Sequence, residues 1–193
     1  MSKKEVTAAV VDKILLLSVT SSALAAGILI PNLLVGLEKP LNVFWKHMDK
    51  RARERELRRV VSYMKTNHLL KGDYKHGLKV TDKGLKRLEK AKIYNLRVRS
   101  VDKWDGRWRL VIYDIPESHK QGRNALTGKL NRLGFYQLQR SAWLHPFPCR
   151  TVITELTAYY KVNSHVSYLL VSKIDNQAKL IKEFKMKYRN SNF

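Results

Sequence analysis

From Ile14 to Leu37 the chain runs for 24 residues without a charge. A run of that length either crosses a bilayer or is folded into a core, so it limits every later choice. Lys3, Lys4 and Lys13 ahead of it, with Ala23-Leu24-Ala25 inside it, also imitate a secretory signal. Against both, Ser18, Thr20, Ser21 and Ser22 dilute the hydrophobicity. Gly27 and Pro31-Asn32 then cut the run into pieces of about a dozen residues, the length of core helices. We read two buried helices in a cytoplasmic protein with no membrane partner.

Charge follows the apolar run at once. Residues 46–109 hold 21 Lys and Arg against eight Asp and Glu, net +13, out of +22 for all 193 residues. Residues 1–45 carry four against three, net +1, and residues 110–193 carry 13 against five, net +8. With 44% apolar residues the chain is too hydrophobic for a disordered basic tail, so the charge sits on a folded surface. Such a surface repels itself unless a polyanion is near, which points to nucleic acid or an anionic membrane surface. The single cysteine, Cys149, excludes a disulfide framework or a multi-cysteine metal site and reads as an inert buried thiol. The six histidines (His47, His68, His76, His119, His145 and His165) show no metal-ligand spacing. His119, His145 and His165 read as surface or hydrogen-bonded residues rather than acid–base catalysts.

The middle block reads as helix, hairpin, helix. Leu57, Val60, Val61 and Met64 fall at i, i+3, i+4, i+7, an apolar stripe that predicts a helix. Arg51, Arg55, Arg58, Arg59, Ser62, Lys65 and Thr66 mostly occupy its remaining surface. Lys71-Gly72-Asp73 turns the chain, and Tyr74 to Val80 reads as a short strand pair with His76-Gly77 at its tip. Thr81 is placed to cap a closing helix whose Leu85 and Leu88 point one way. That order is the winged helix-turn-helix, and Leu69-Leu70-Lys71-Gly72 leading to Lys79-Val80-Thr81-Asp82-Lys83-Gly84-Leu85 resembles the winged-helix repressors. A helix fits the major groove and a basic wing reaches the phosphates beside it. The expected DNA contacts are Arg51, Arg55, Arg58, Arg59 and Lys65 on the helix, with Lys75, His76 and Lys79 on the wing.

The remaining chain alternates differently. Trp108 to Pro116 is a strand ended by Asp114-Ile115-Pro116. Ser118 is expected to cap a helix carrying Leu126, Leu130 and Leu133, with Gly134 just past its end. Phe135 to Phe147 is extended, 151–160 is a helix with Val152, Leu156 and Tyr159 inward, Val166 to Ser172 is a strand, and Leu180, Ile181 and Phe184 mark a last helix. The order βαββαβ is that of a ferredoxin-like sheet. The fold class is therefore α+β: a winged helix-turn-helix domain over 1–95, a linker over 96–107 and a ferredoxin-like dimerisation domain over 108–193. Trp104, Trp108 and Trp143 read as sheet-core or interface residues. Trp143 and the strand from Phe135 to Leu144 are expected to present the apolar surface that a second copy covers.

Leu110-Val111-Ile112-Tyr113-Asp114-Ile115-Pro116-Glu117, Arg123 with Leu126 and Leu130, Leu133-Gly134-Phe135, and Leu138-Gln139-Arg140-Ser141-Ala142-Trp143-Leu144 resemble the small CRISPR-associated protein two. The lead-in Lys103-Trp104-Asp105-Gly106-Arg107-Trp108-Arg109 is closer still to the middle domain of the phenylacetate-operon repressor (PaaX) family. That resemblance implies a winged helix followed by a ferredoxin-like module. It also implies a homodimeric, sequence-specific transcriptional regulator, a repressor, that binds double-stranded DNA without a cofactor. The CRISPR likeness implies an alternative, a metal-dependent endonuclease or adaptation subunit working with an integrase partner. In it Asp114 is the catalytic residue and the ligand of Mg²⁺ shared across a dimer axis. The other reading of Asp114 is a turn cap. Because the +13 block lies on the helix and wing rather than around Asp114, the regulator is favoured.

Overall fold

The computed structural model describes residues 3–20, 41, 44–73 and 77–188, and divides the chain into two compact units, Met1–Tyr94 and Asn95–Phe193. Gly27 and Pro31, on which the two-helix reading of the apolar run depends, lie outside the described residues. Among the described residues no helix is long and apolar enough to cross a membrane.

In the first unit helix α1 (Lys3–Thr20) buries Val10, Val11, Ile14 and Leu15. Helix α2 (Lys50–Thr66) starts at Asp49, whose carboxylate accepts the Ala52 amide at 2.7 Å, a side-chain N-cap. It buries Leu57, Val60, Val61 and Met64, the stripe the periodicity marked. A 17-residue helix is marginal alone. Burying each of these side chains contributes roughly 1.5–3 kcal/mol, so packing holds α2 more than propensity does. The chain leaves α2 through Asn67 and a left-handed His68 (φ 56°) into a hairpin. Strands β1 (Leu70–Asp73) and β2 (Gly77–Val80) pair antiparallel, Leu70 opposite Val80, Lys71 opposite Lys79 and Gly72 opposite Leu78. The first strand thus starts before Tyr74, where the sequence had placed it.

Helix α3 (Asp82–Asn95) closes the unit. The Thr81 hydroxyl accepts the Gly84 amide at 3.1 Å and donates to the His68 carbonyl at 2.6 Å, so it caps α3 and ties it to the end of α2. Arg87 reaches Asp12 of α1 at 2.8 Å. The inward residue of the first turn is Gly84, not Leu85, which is 41% exposed. The reason is steric, since a Cβ at Gly84 would run into the Leu69 carbonyl oxygen and come within 2.7 Å of Val80.

The second unit is a four-stranded antiparallel sheet in the order β4-β5-β3-β6, with β3 Trp108–Tyr113, β4 Tyr136–Gln139, β5 Ala142–His145 and β6 Val166–Val171. Helix α4 (Lys120–Arg132) joins β3 to β4, α5 (Arg150–Tyr159) joins β5 to β6, and α6 (Gln177–Lys187) follows. This is the expected βαββαβ order with ferredoxin-like strand placement. Trp108 and Leu144 pack with Leu180 and Phe184 of α6. Residues 96–107 belong to this unit: Trp104 lies 4.6 Å from the Trp108 ring, and Asp105 holds the almost fully buried Arg109 by two bonds of 2.7 and 2.6 Å.

Two local expectations are corrected. Ser118 does not cap α4; a 3₁₀ turn (Glu117–His119) intervenes, and the Ser118 hydroxyl bonds the His119 ring at 3.1 Å instead. Helix α5 buries Ile153, Leu156 and Thr157, while Tyr159 is exposed; the Thr157 hydroxyl satisfies itself on the Ile153 carbonyl at 2.9 Å and so sits inward at no polar cost.

Candidate nucleic-acid interface

On α2 the residues opposite the buried stripe form a line at i, i+4, i+7, i+11 and i+15: Arg51, Arg55, Arg58, Ser62 and Thr66, all exposed. One helix therefore presents three guanidinium groups toward its N-terminal end and two hydroxyls toward its C-terminal end. The first suit phosphate oxygens, and the second can bond base edges or phosphates. Arg59 is exposed too but is committed sideways. Its Nε and Nη2 hold both Glu56 oxygens at 2.9 and 2.5 Å, and Nη2 lies 3.3 Å from the Thr7 hydroxyl of α1. Lys65, half-buried, lies off the line beside the buried Met64.

On the hairpin, Lys79 is exposed and stands directly across from Lys71, also exposed. The alternation explains it, because Leu70 and Leu78 turn inward and leave the two lysines on the other face. Like charges directly opposite each other are unfavourable in a strand pair. Lys71 was missed in the sequence because the turn was placed there. Its register opposite Lys79 is the signal that finds it. Lys75 and His76, at the expected wing tip, lie outside the described residues.

At the end of β3 the Asp114 side chain is exposed and its amide donates to the His165 carbonyl at 3.0 Å. His119 and His165 rings are 5.5 Å apart nearby. Glu117 is taken up by Lys120 and Arg123, each at 2.7 Å, and these two cations hold its carboxyl below the usual range. Among the described residues no group of three His, Cys, Asp or Glu side chains is placed to hold a metal ion.

The other singled-out groups are structural. His145 is fully buried; its Nδ1 accepts the Phe147 amide at 3.1 Å, which leaves the proton on Nε2, 3.1 Å from the Tyr188 hydroxyl. Burial pushes its pKa down to about 3. Burial likewise pushes the Cys149 thiol up to about 11, which makes it a poor nucleophile. Trp143 is 1% exposed and donates its indole N–H to Tyr113 at 3.1 Å, so it offers no surface to a partner. It sits on an inner strand, and the sheet's exposed apolar residues are others, Leu138 on β4, Leu169 and Leu170 on β6, and Ile112 on the inner strand β3.

Residues 101–181 match the family described as the PaaX protein central Cas2-like domain. No curated protein matches the chain. Among solved structures, the uncharacterized protein Rv0674 from Mycobacterium tuberculosis is similar at 18% identity with a TM-score of 0.38 over 92% of this chain; the match spans 66% of that protein's length.

Proposed function

We propose that the protein is a PaaX-type transcriptional regulator. Its first unit acts as a winged helix that reads duplex DNA, and its second unit pairs two chains. The observation that carries this is the α2 stripe. Arg51, Arg55 and Arg58 share one outward line with Ser62 and Thr66, on the helix that leads directly into the hairpin bearing Lys71 and Lys79. A helix of this size fits the major groove of about 12 Å width, and the hairpin lysines then meet the flanking phosphates. Two such helices across a two-fold axis address half-sites one helical turn apart, roughly 34–36 Å. The match of residues 101–181 to a PaaX central domain supports the same reading.

The test is a selection from random duplex DNA at a salt concentration where non-specific complexes have dissociated. A recovered motif is expected, bound on the order of 4–10 kcal/mol more tightly than random sequence. Replacing Arg55 and Arg58 by alanine should abolish its enrichment. Unchanged gel-shift affinity in that double variant would overturn the reading. Mg²⁺-dependent cutting that disappears in Asp114→Ala would replace it with the nuclease.

A further inference from the structure

The two outer strands of the second unit's sheet are built differently. β4 is short and reads Tyr-Gln-Leu-Gln, and its pairing with β5 slips at a bulge between Gln137 and Gln139. Short, bulged, polar edges are how sheets avoid adding a further strand. β6 has none of these features. Val166 to Val171 run opposite Tyr113 back to Trp108 in unbroken register, with no charge, proline or bulge. Among the described residues no strand lies on the other side of β6.

The register says which backbone groups that open side carries. The Asp114 amide donates to the His165 carbonyl, so 114 and 165 form a hydrogen-bonded pair. Such pairs alternate along an antiparallel ladder. Ser167, Leu169 and Val171 are therefore bonded to β3, and the N–H and C=O groups of Val166, Tyr168 and Leu170 point outward. At the same edge Leu169 and Leu170 are 39% and 53% exposed.

We propose that β6 pairs antiparallel with β6 of a second copy across a two-fold axis at Leu169, joining the two sheets into one. This gives the pairing in the regulator reading its surface, and rests on that reading for the existence of a dimer. The strip is uncharged in a chain of net charge +22, so two copies meet there with least repulsion, whereas an acidic partner would be drawn to the cationic faces. The edge is also self-complementary. An axis at Leu169 sets Tyr168 opposite Leu170 twice, so each of these N–H groups finds a C=O, and both exposed leucines are covered. An axis at Tyr168 would set Leu169 against Ser167. It would also bring together two Arg150 guanidinium groups, each 4.5 Å from the centre of its Tyr168 ring.

The experiment uses the full chain carrying Leu169→Cys or, as a control, Ser167→Cys, both exposed positions on one face of β6. At the axis the two Cα atoms would stand about 4.5 Å apart, within disulfide reach. The two copies of position 167 would be offset by four residues, roughly 13 Å along the strand. In a glutathione redox buffer Leu169→Cys should form a covalent dimer about tenfold or more faster than Ser167→Cys. The wild type, whose one thiol is buried, should form none. Raising the concentration of wild type should slow hydrogen exchange at Val166, Tyr168 and Leu170 far more than at Ser167, Leu169 and Val171. Equal cross-linking of the two variants, or exchange that ignores concentration, would overturn the proposal; strong protection at all concentrations would give the edge to a strand of the same chain. If the proposal fails in a protein that sedimentation finds dimeric, the regulator reading keeps its dimer and loses only this surface. A covalent Leu169→Cys dimer that recovers no DNA motif keeps the surface and removes the regulator.

Discussion

Glycine-to-alanine changes in two helices should have opposite signs, because the space around them is opposite. In a helix interior alanine is better than glycine by about 1 kcal/mol. At Gly128, exposed on α4, a new Cβ would meet no heavy atom within 4 Å, so Gly128→Ala should keep most of that gain. At Gly84 the Cβ would overlap the Leu69 carbonyl oxygen and lie 2.7 Å from Val80 Cγ1 and 3.3 Å from Leu15 Cδ2. The Leu69 carbonyl cannot swing away freely, since it accepts the Thr81 amide at 3.1 Å. Overpacking against backbone costs about 1–3 kcal/mol or more, which outweighs a propensity gain of at most about 1. Gly84→Ala should therefore destabilise the first unit by up to about 2 kcal/mol and Gly128→Ala should stabilise the second by somewhat under about 1. In units of about a hundred residues each kcal/mol moves the melting temperature by roughly 4–8 °C. Calorimetry would read the shifts, and hydrogen exchange of the α3 and hairpin amides would assign the first to its unit. A Gly84→Ala protein that melts at or above the wild-type temperature would refute the argument that the Leu69 carbonyl and Val80 leave no room for a Cβ there.

Two further outcomes follow from the second unit. The bonds from Arg109 hold the Asp105 carboxyl below its usual range, and a depressed acid contributes stability above its unfolded pKa of about 4 that is lost as pH falls through the folded value. Wild type should thus lose its advantage over Asp105→Asn below about pH 4, and melting curves that stay parallel down to pH 2 would contradict this. Leu170 is 53% exposed on β6, which pairs with β3 on one side only among the described residues; if two chains pair through β6, as the regulator reading suggests, Leu170→Lys should raise the dimer dissociation constant about tenfold or more, by loss of apolar contact and placement of like charges across the axis. Sedimentation giving the same mass for both proteins at every concentration would remove β6 as the pairing surface.

What the sequence could reveal follows from what carries a signal. The α2 stripe was legible because all four of its inward residues are apolar and regularly spaced. The face of α3 was misjudged because its inward residue is a glycine, which has no hydrophobic signature, so periodicity settled on exposed Leu85. In α5 a buried threonine, satisfied on its own helix, shifted the phase in the same way. Trp143 looked like an interface residue because size and apolarity do not say whether a strand is inner or outer; the sheet order does. The commitment of Arg59 to Glu56 was present as an i, i+3 pair, but the reach to Thr7 depends on how α1 packs against α2, and no local pattern states that.

Charge sets the terms on which two such chains could meet. At +22 each, they repel wherever their surfaces are typical of the molecule. An interface is cheapest where charge is absent, and β6, Val-Ser-Tyr-Leu-Leu-Val, has none although 28% of the chain is charged. DNA lowers the same repulsion from the other side by neutralising the cationic faces. On the regulator reading, pairing and DNA binding are therefore linked, and by reciprocity the factor by which bound DNA strengthens pairing equals the factor by which pairing strengthens DNA binding. Salt acts on the two in opposite directions. It screens the repulsion that opposes pairing, and it removes the counterion-release advantage that drives DNA contact. On the regulator reading, like charges placed opposite each other, as Lys71 is opposite Lys79, are then an arrangement whose cost bound DNA would relieve.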